Sequence, residues 1–284
     1  MTKEDVSKSL ALSCVEAYFL AWFKTFFDVR QLYVESFVPF NRILSDFLGR
    51  GIRYEREYIP RVQDVSERLG LTRHIRSDSL TAEQDVLTLV RVNEKFVQGA
   101  KRVPWREDHF IALYPSEEGF RFVSSYPLSS GHIGAAELRE VASGESLRFY
   151  ACRTQEQNHD ENYAALSRAA FGRICEDFGS LSGLEEIDPL RLRDAALFLR
   201  TTRRRLRDWL THEATRGAVA FDETLKGACE RLIGSYDRLL VQTEYRLARG
   251  SGASGLGETL GALAGREREL AREIMTRRRK NGDD

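Results

Sequence analysis

Ser13-Cys-Val-Glu-Ala-Tyr-Phe-Leu-Ala-Trp-Phe-Lys-Thr-Phe-Phe27 is the stretch on which the reading of this chain turns. Serine is a favoured helix N-cap, because its short side chain accepts a bond from an orphan N–H of the first turn. The residues after Ser13 are apolar on nearly every helical face, and such a helix is buried inside a domain. Glu16 is expected to face solvent or pair with an arginine. Glu16 and Lys24 interrupt the segment, and it falls short of the ~20 apolar residues of a membrane span. It also lacks the small-residue cleavage site of a secretion signal. A cytoplasmic, reducing location is therefore expected, with the cysteines at 14, 152, 175 and 229 as free thiols.

Downstream of this helix the texture is mixed. Asn41–Leu48 and Val62–Leu69 are short helices closed by Gly49 and Gly70, and Ile52–Ile59 and Arg73–Arg76 are short strands. Thr81-Ala-Glu-Gln84 has the form of a capping box and predicts a helical turn. Three β-rich runs come next: Leu87–Val92, Phe110–Tyr114 and Phe120–Ser124. Pro115-Ser-Glu-Glu-Gly119 joins the last two as a hairpin turn. Beyond residue 156 the only proline is Pro189, and apolar residues recur at helical spacing through Leu190–Leu210, Leu225–Leu240 and Leu256–Ile274. The pattern gives an α+β domain over residues 1–153 and a helical bundle or lid over 154–284.

The 284 residues carry 43 basic and 43 acidic side chains, so the formal net charge is zero. A nucleic-acid scaffold would show a basic footprint, and none is expected here. His74, His132, His159 and His212 form no close-spaced set with carboxylates or thiols, so no metal and no cofactor is expected. Ser129-Ser-Gly-His132 lacks the strand–turn–helix context of a nucleophile elbow and is expected to be a loop. The basic runs Arg200–Arg207 and Arg277–Lys280 are weighed first as solvated helix faces, then as docking surfaces for an acidic partner.

Chemistry is best supported at Cys14 and His109. Cys14 falls at the start of the buried helix, where the helix dipole favours a thiolate and first-turn N–H groups can hold an oxyanion. His109 directly precedes a strand, and a rigid sheet can hold its imidazole as a general base. A cysteine alone is more often a small hydrophobe than a nucleophile, and the other three cysteines are assigned to packing.

Four segments resemble the N-terminal domain of the butirosin biosynthesis protein H family. They are Ser13-Cys14 opening an apolar helix, the strand Val86–Asn93, the spacer Glu94–Asp108 with Pro104-Trp105, and His109-Phe-Ile-Ala-Leu-Tyr114 with a hairpin returning to Tyr126-Pro127. That family is papain-like, in a group with bacteriocin-processing cysteine peptidases, and its C-terminal region is helical. The resemblance implies a papain-like first domain and a Cys–His–Asp site in secondary-metabolite biosynthesis. Such a site moves an acyl group from a carrier-protein thioester, borne on phosphopantetheine, to a small-molecule amine. Water or a nucleophile within the acyl chain are further acceptors. Cys14 maps to the nucleophile and His109 to the base. The partners implied are an acyl or peptidyl carrier protein and a small-molecule acceptor, with no nucleic acid and no membrane. The family's Asp-Pro is replaced by Tyr126-Pro127, so the ring-orienting group is left among Tyr126, Ser125, Asn93, a backbone carbonyl or none. The departure also keeps a second class open, a non-catalytic interaction module on the same fold.

Overall fold

The computed structural model describes residues 1–44, 59–97, 109–125, 128–152, 159–174, 188–250 and 255–278. The chain divides into two compact units: Met1–Val29 with Arg61–Asn162, and Arg30–Pro60 with Tyr163–Asp284. This differs from a single cut after residue 153, because the chain enters the second unit twice. The reason is local packing. The Val38 carbonyl accepts a bond from Arg203 (2.8 Å), the Arg203 guanidinium lies 4.9 Å from the Phe37 ring, and the Phe40 and Tyr236 rings are 6.5 Å apart. Among the described residues, no helix is long and apolar enough to cross a membrane.

The first unit is a mixed α+β structure around a six-stranded antiparallel sheet. Its strands are β1 (Thr72–Ser77), β2 (Leu87–Val92), β3 (Phe110–Ser116), β4 (Gly119–Ser125), β5 (Leu128–Ile133) and β6 (Ala142–Ala151). They lie in the order β1-β6-β2-β3-β4-β5. The β3–β4 hairpin closes tightly, pairing Ser116 with Gly119. Gly119 has φ +129°, and a Cβ there would meet the Ile133 carbonyl oxygen at 2.8 Å, so only glycine fits without a shift. Of the expected strand Ile52–Ile59, residues 52–58 lie outside the described residues, and Ile59 forms a bend. Thr81–Gln84 forms no helix; the Thr81 hydroxyl instead accepts a bond from the Arg148 guanidinium. Ser129–His132 is part of β5 and not a loop.

Strand alternation sorts the core into two layers. Leu89 opposes Ala112, and Ala112 opposes Val123, on one face of the sheet. Helix α2 (Cys14–Phe23) covers this face, with the Phe19 ring edge-on to Phe149 at 5.2 Å. Val90, Val92, Ile111 and Leu113 point to the other face, where they pack with Leu138, Val141, Phe96 and Phe122. Helix α5 (Ala135–Val141) and the 3₁₀ turn Glu94–Val97 supply that cover. Helices α1 (Lys3–Ser7) and α4 (Val62–Arg68) complete the described helices lying wholly in this unit.

The second unit contains α3 (Phe40–Leu44), most of α6 (His159–Ile174), and the long helices α7 (Pro189–Thr215), α8 (Glu223–Ala248) and α9 (Gly257–Arg277). Its polar chemistry is internal. Arg203 is fully buried; its Nε lies 2.9 Å from both carboxylate oxygens of Glu267, which also accepts a bond from the Tyr236 hydroxyl. Arg205 is buried against the Tyr33 ring. Arg200 and Arg207 reach across to Asp237 (2.6 Å) and Glu230 (2.8 Å) on α8. The run Arg200–Arg207 is therefore not a solvated face, because helical alternation turns part of it into the core and part toward acids on α8. In the second basic run, Arg277 binds Asp222 (2.8 Å), Arg278 lies 5.0 Å over the Phe171 ring, and 279–280 lie outside the described residues.

Candidate functional site

Ser13 caps α2 as its sequence suggests, accepting the Glu16 N–H at 3.2 Å. Cys14 is thus the first helical residue, half-buried and a thiol. Glu16 does not face solvent. It is buried, and its carboxylate accepts the N–H of Leu12 (2.9 Å) and of Val62 (3.3 Å). It clasps the turn before α2 to the start of α4. Ser13-Cys-Val-Glu16 has the spacing of a capping box, the signal by which this carboxylate could have been placed.

One turn after Cys14, Tyr18 links this helix end to the sheet. A two-residue hairpin closed at Ser116 and Gly119 makes Phe110 and Ser125 a hydrogen-bonded pair by alternation. The Tyr18 hydroxyl is inserted at that pair. It accepts the Ser125 N–H (2.6 Å) and donates to the Phe110 carbonyl (2.8 Å), with the Ser125 hydroxyl 3.1 Å away. The ladder is opened at this end, and the opening is held by the helix that begins with Cys14. Burial keeps the Tyr18 phenol well above its usual pKa, so it bridges as a neutral group.

His109 directly precedes Phe110, at the same end of the sheet. Its ring is buried, its Nε2 lies 3.2 Å from the Ser124 hydroxyl, and Phe96 packs 6.4 Å from it. Because Phe96 belongs to the α5 side of the core, the imidazole leans toward the face opposite α2. Burial lowers its pKa below the usual 6.5, so the ring is neutral at pH 7 and able to accept a proton. Among the described residues, the hydrogen-bond partner of this ring is Ser124, not Cys14.

The expected ring-orienting residues fall differently. Tyr126 lies outside the described residues. Ser125 is engaged by Tyr18. Asn93 donates from its side chain to the Glu140 carbonyl (2.9 Å) and accepts the Lys95 N–H (3.0 Å), so it ties the turn after β2 to α5. The hydroxyl within reach of the ring is that of Ser124, and only its strand register could have singled it out.

The remaining thiols contrast with Cys14. Cys229 is buried in α8, and burial pushes its pKa up to about 12. Cys152 is half-buried just beyond β6, where its N–H donates to the Leu71 carbonyl (2.8 Å), and does not sit on an apolar helical face. Cys175 lies outside the described residues. Among the described residues no three His, Cys, Asp or Glu side chains converge as metal ligands would. Comparison with protein-family models, characterised proteins and solved structures gives no significant match.

Proposed function

We propose that the sheet unit carries a cysteine-dependent acyl-transfer site on a papain-like scaffold, with Cys14 as nucleophile and His109 as base. The observation that carries this reading is the Tyr18 bridge, which holds the thiol-bearing helix end to the strand that His109 opens. The Cys14 thiol attacks the carbonyl of a thioester, and its proton passes to neutral His109 once that ring turns from Ser124 and Phe96 toward the α2 end of the sheet. First-turn N–H groups and the dipole of α2 stabilise the oxyanion. The carrier thiol leaves with that proton, and Cys14 holds the acyl group. A small-molecule amine, water or an internal nucleophile then releases it, losing its own proton to His109. An acyl or peptidyl carrier protein presenting the thioester on phosphopantetheine is the donor in this proposal, in the setting of secondary-metabolite biosynthesis. No metal or other cofactor enters the scheme.

A second reading has its own observation. The imidazole bonds Ser124 and packs beside Phe96, an arrangement that suits a structural histidine in a non-catalytic interaction module. Incubation with an acyl N-acetylcysteamine thioester, read by intact mass, separates the two. Acyl transfer gives an adduct of the acyl mass that vanishes in Cys14→Ser and forms at least tenfold more slowly in His109→Gln. No adduct, or one that survives Cys14→Ser, contradicts the proposal.

A further inference from the structure

A cavity of about 660 Å³ opens within the sheet unit, at the far end of α2 from Cys14. Its walls combine aromatic rings with polar and charged side chains. The Trp22 indole packs edge-on to Phe26 at 5.3 Å and is fixed by its N–H donating to the Asp85 carbonyl (3.1 Å). Asp85 holds φ 63°, a left-handed backbone that brings this carbonyl to the indole. Across the cavity, Arg121 and His132 are direct cross-strand partners on β4 and β5, so both project from the same face. The Arg121 guanidinium lies 5.4 Å from the Tyr114 ring centre.

Charge decides what this cavity suits. Glu83 on the rim is ion-paired with Arg148 (3.3 Å), whereas among the described residues the Arg121 contact is the Tyr114 ring, not a carboxylate. His132 meets the Ser116 hydroxyl at 3.4 Å through Nδ1, leaving Nε2 for a ligand. Among the described residues the Tyr114 hydroxyl is buried without a hydrogen-bond partner, and burial raises its pKa, so the ring beneath Arg121 stays neutral. Guanidinium and imidazole on one side of aromatic walls match an oxyanion attached to a planar apolar body.

We infer that this cavity is a binding site for a small aromatic carboxylate or phosphate, separate from the Cys14 end of α2. The anion is held by Arg121 and His132, and the ring lies against Trp22 and Phe26. The inference does not depend on acyl transfer. The carboxyl groups of Asp85 and of Glu83, the latter offset by Arg148, are the lining charges that oppose it, so a cationic ligand is the natural competitor.

Isothermal titration of the full chain with phenyl phosphate, phenylacetate and phenethylamine tests the site. Saturable binding of at least one anion is expected, with the tighter of the two distinguishing phosphate from carboxylate. Affinity should fall tenfold or more in Arg121→Gln and several-fold in His132→Gln, and stay unchanged in Cys14→Ser. Arg121→Lys, which keeps the charge, should retain most of the affinity, and thermal melts check that each variant is folded. No saturable anion binding, equal affinity in folded Arg121→Gln, or preference for phenethylamine would overturn the inference.

Discussion

The two units spend their polar residues differently. In the helical unit, Arg203, Glu267 and Tyr236 satisfy one another in a fully buried cluster, and Glu213 takes the hydroxyls of Tyr163 (2.5 Å) and Ser167 (2.7 Å). In the sheet unit, two groups of polar side chains sit at opposite ends of the β3–β4–β5 strands. Tyr18, Ser124 and His109 occupy one end, and Arg121, His132 and Tyr114 the other. Internal pairing locks a bundle in one arrangement. Strand ends, where ladder bonds run out, leave donors and acceptors for chemistry and ligands.

The largest effect is expected where the pairing is deepest. Glu267→Ala leaves the Arg203 guanidinium buried without its carboxylate and should cost about 3–5 kcal/mol. Replacing both partners, Arg203→Met with Glu267→Leu, should recover most of that loss. Thermal and urea melts of both variants check the expectation, and a Glu267→Ala change within error of zero would break the contrast between the units.

Tyr18→Phe comes next. It removes the group inserted between Phe110 and Ser125 and should cost about 1–3 kcal/mol, the range for stranding buried polar partners. The same variant should slow Cys14 alkylation, because the helix end loses its tether to the His109 strand. A stability loss with unchanged Cys14 reactivity would reduce Tyr18 to a purely structural residue.

A smaller effect concerns pH. His109 has a folded pKa below the 6.5 of the unfolded chain. Below that unfolded value the unfolded state binds the proton more readily. His109 therefore favours folding fully above about pH 6.5, and that contribution is lost as pH falls from 6.5 to the lower folded value. Urea melts between pH 5 and 8 should show this decline in the wild type and a shallower one in His109→Gln. Parallel curves would mean that the ring titrates as if exposed.

Asn93→Ala should have the smallest effect. Its bonds to Glu140 and Lys95 are exposed, so about 1 kcal/mol of stability is expected to go, with Cys14 reactivity unchanged. A large loss of Cys14 reactivity would return Asn93 to the site.

Much of the fold was legible because periodicity and caps agreed. Ser13 before an apolar run gave α2, and the branched and aromatic runs gave β2, β3 and β4. Strand β5 is not legible because Leu128-Ser-Ser-Gly-His-Ile133 has no buried stripe, as suits an edge strand. Strand β6 opens with Ala-Ser-Gly-Glu-Ser, which masks the alternation of Leu147 and Phe149. The arginine run reads as a solvated face because sequence shows its charge but not the acids that α8 and α9 bring to it. Cys14 and His109 were legible as single residues at element ends. Ser124 and the Tyr18 bridge were not, since both depend on the β3–β4 register.

The most direct test of the Cys14 site is the rate of iodoacetamide alkylation at each cysteine, measured by peptide mass spectrometry from pH 5 to 10. In the wild type, Cys14 should react first and the buried Cys229 last. In folded His109→Gln, the Cys14 rate at pH 7 should fall about tenfold or more, at the low end of general-base effects or below, and converge with the wild type above the thiol pKa. Superimposable profiles, or Cys152 reacting ahead of Cys14, would contradict a nucleophile–base pair at this end of the sheet.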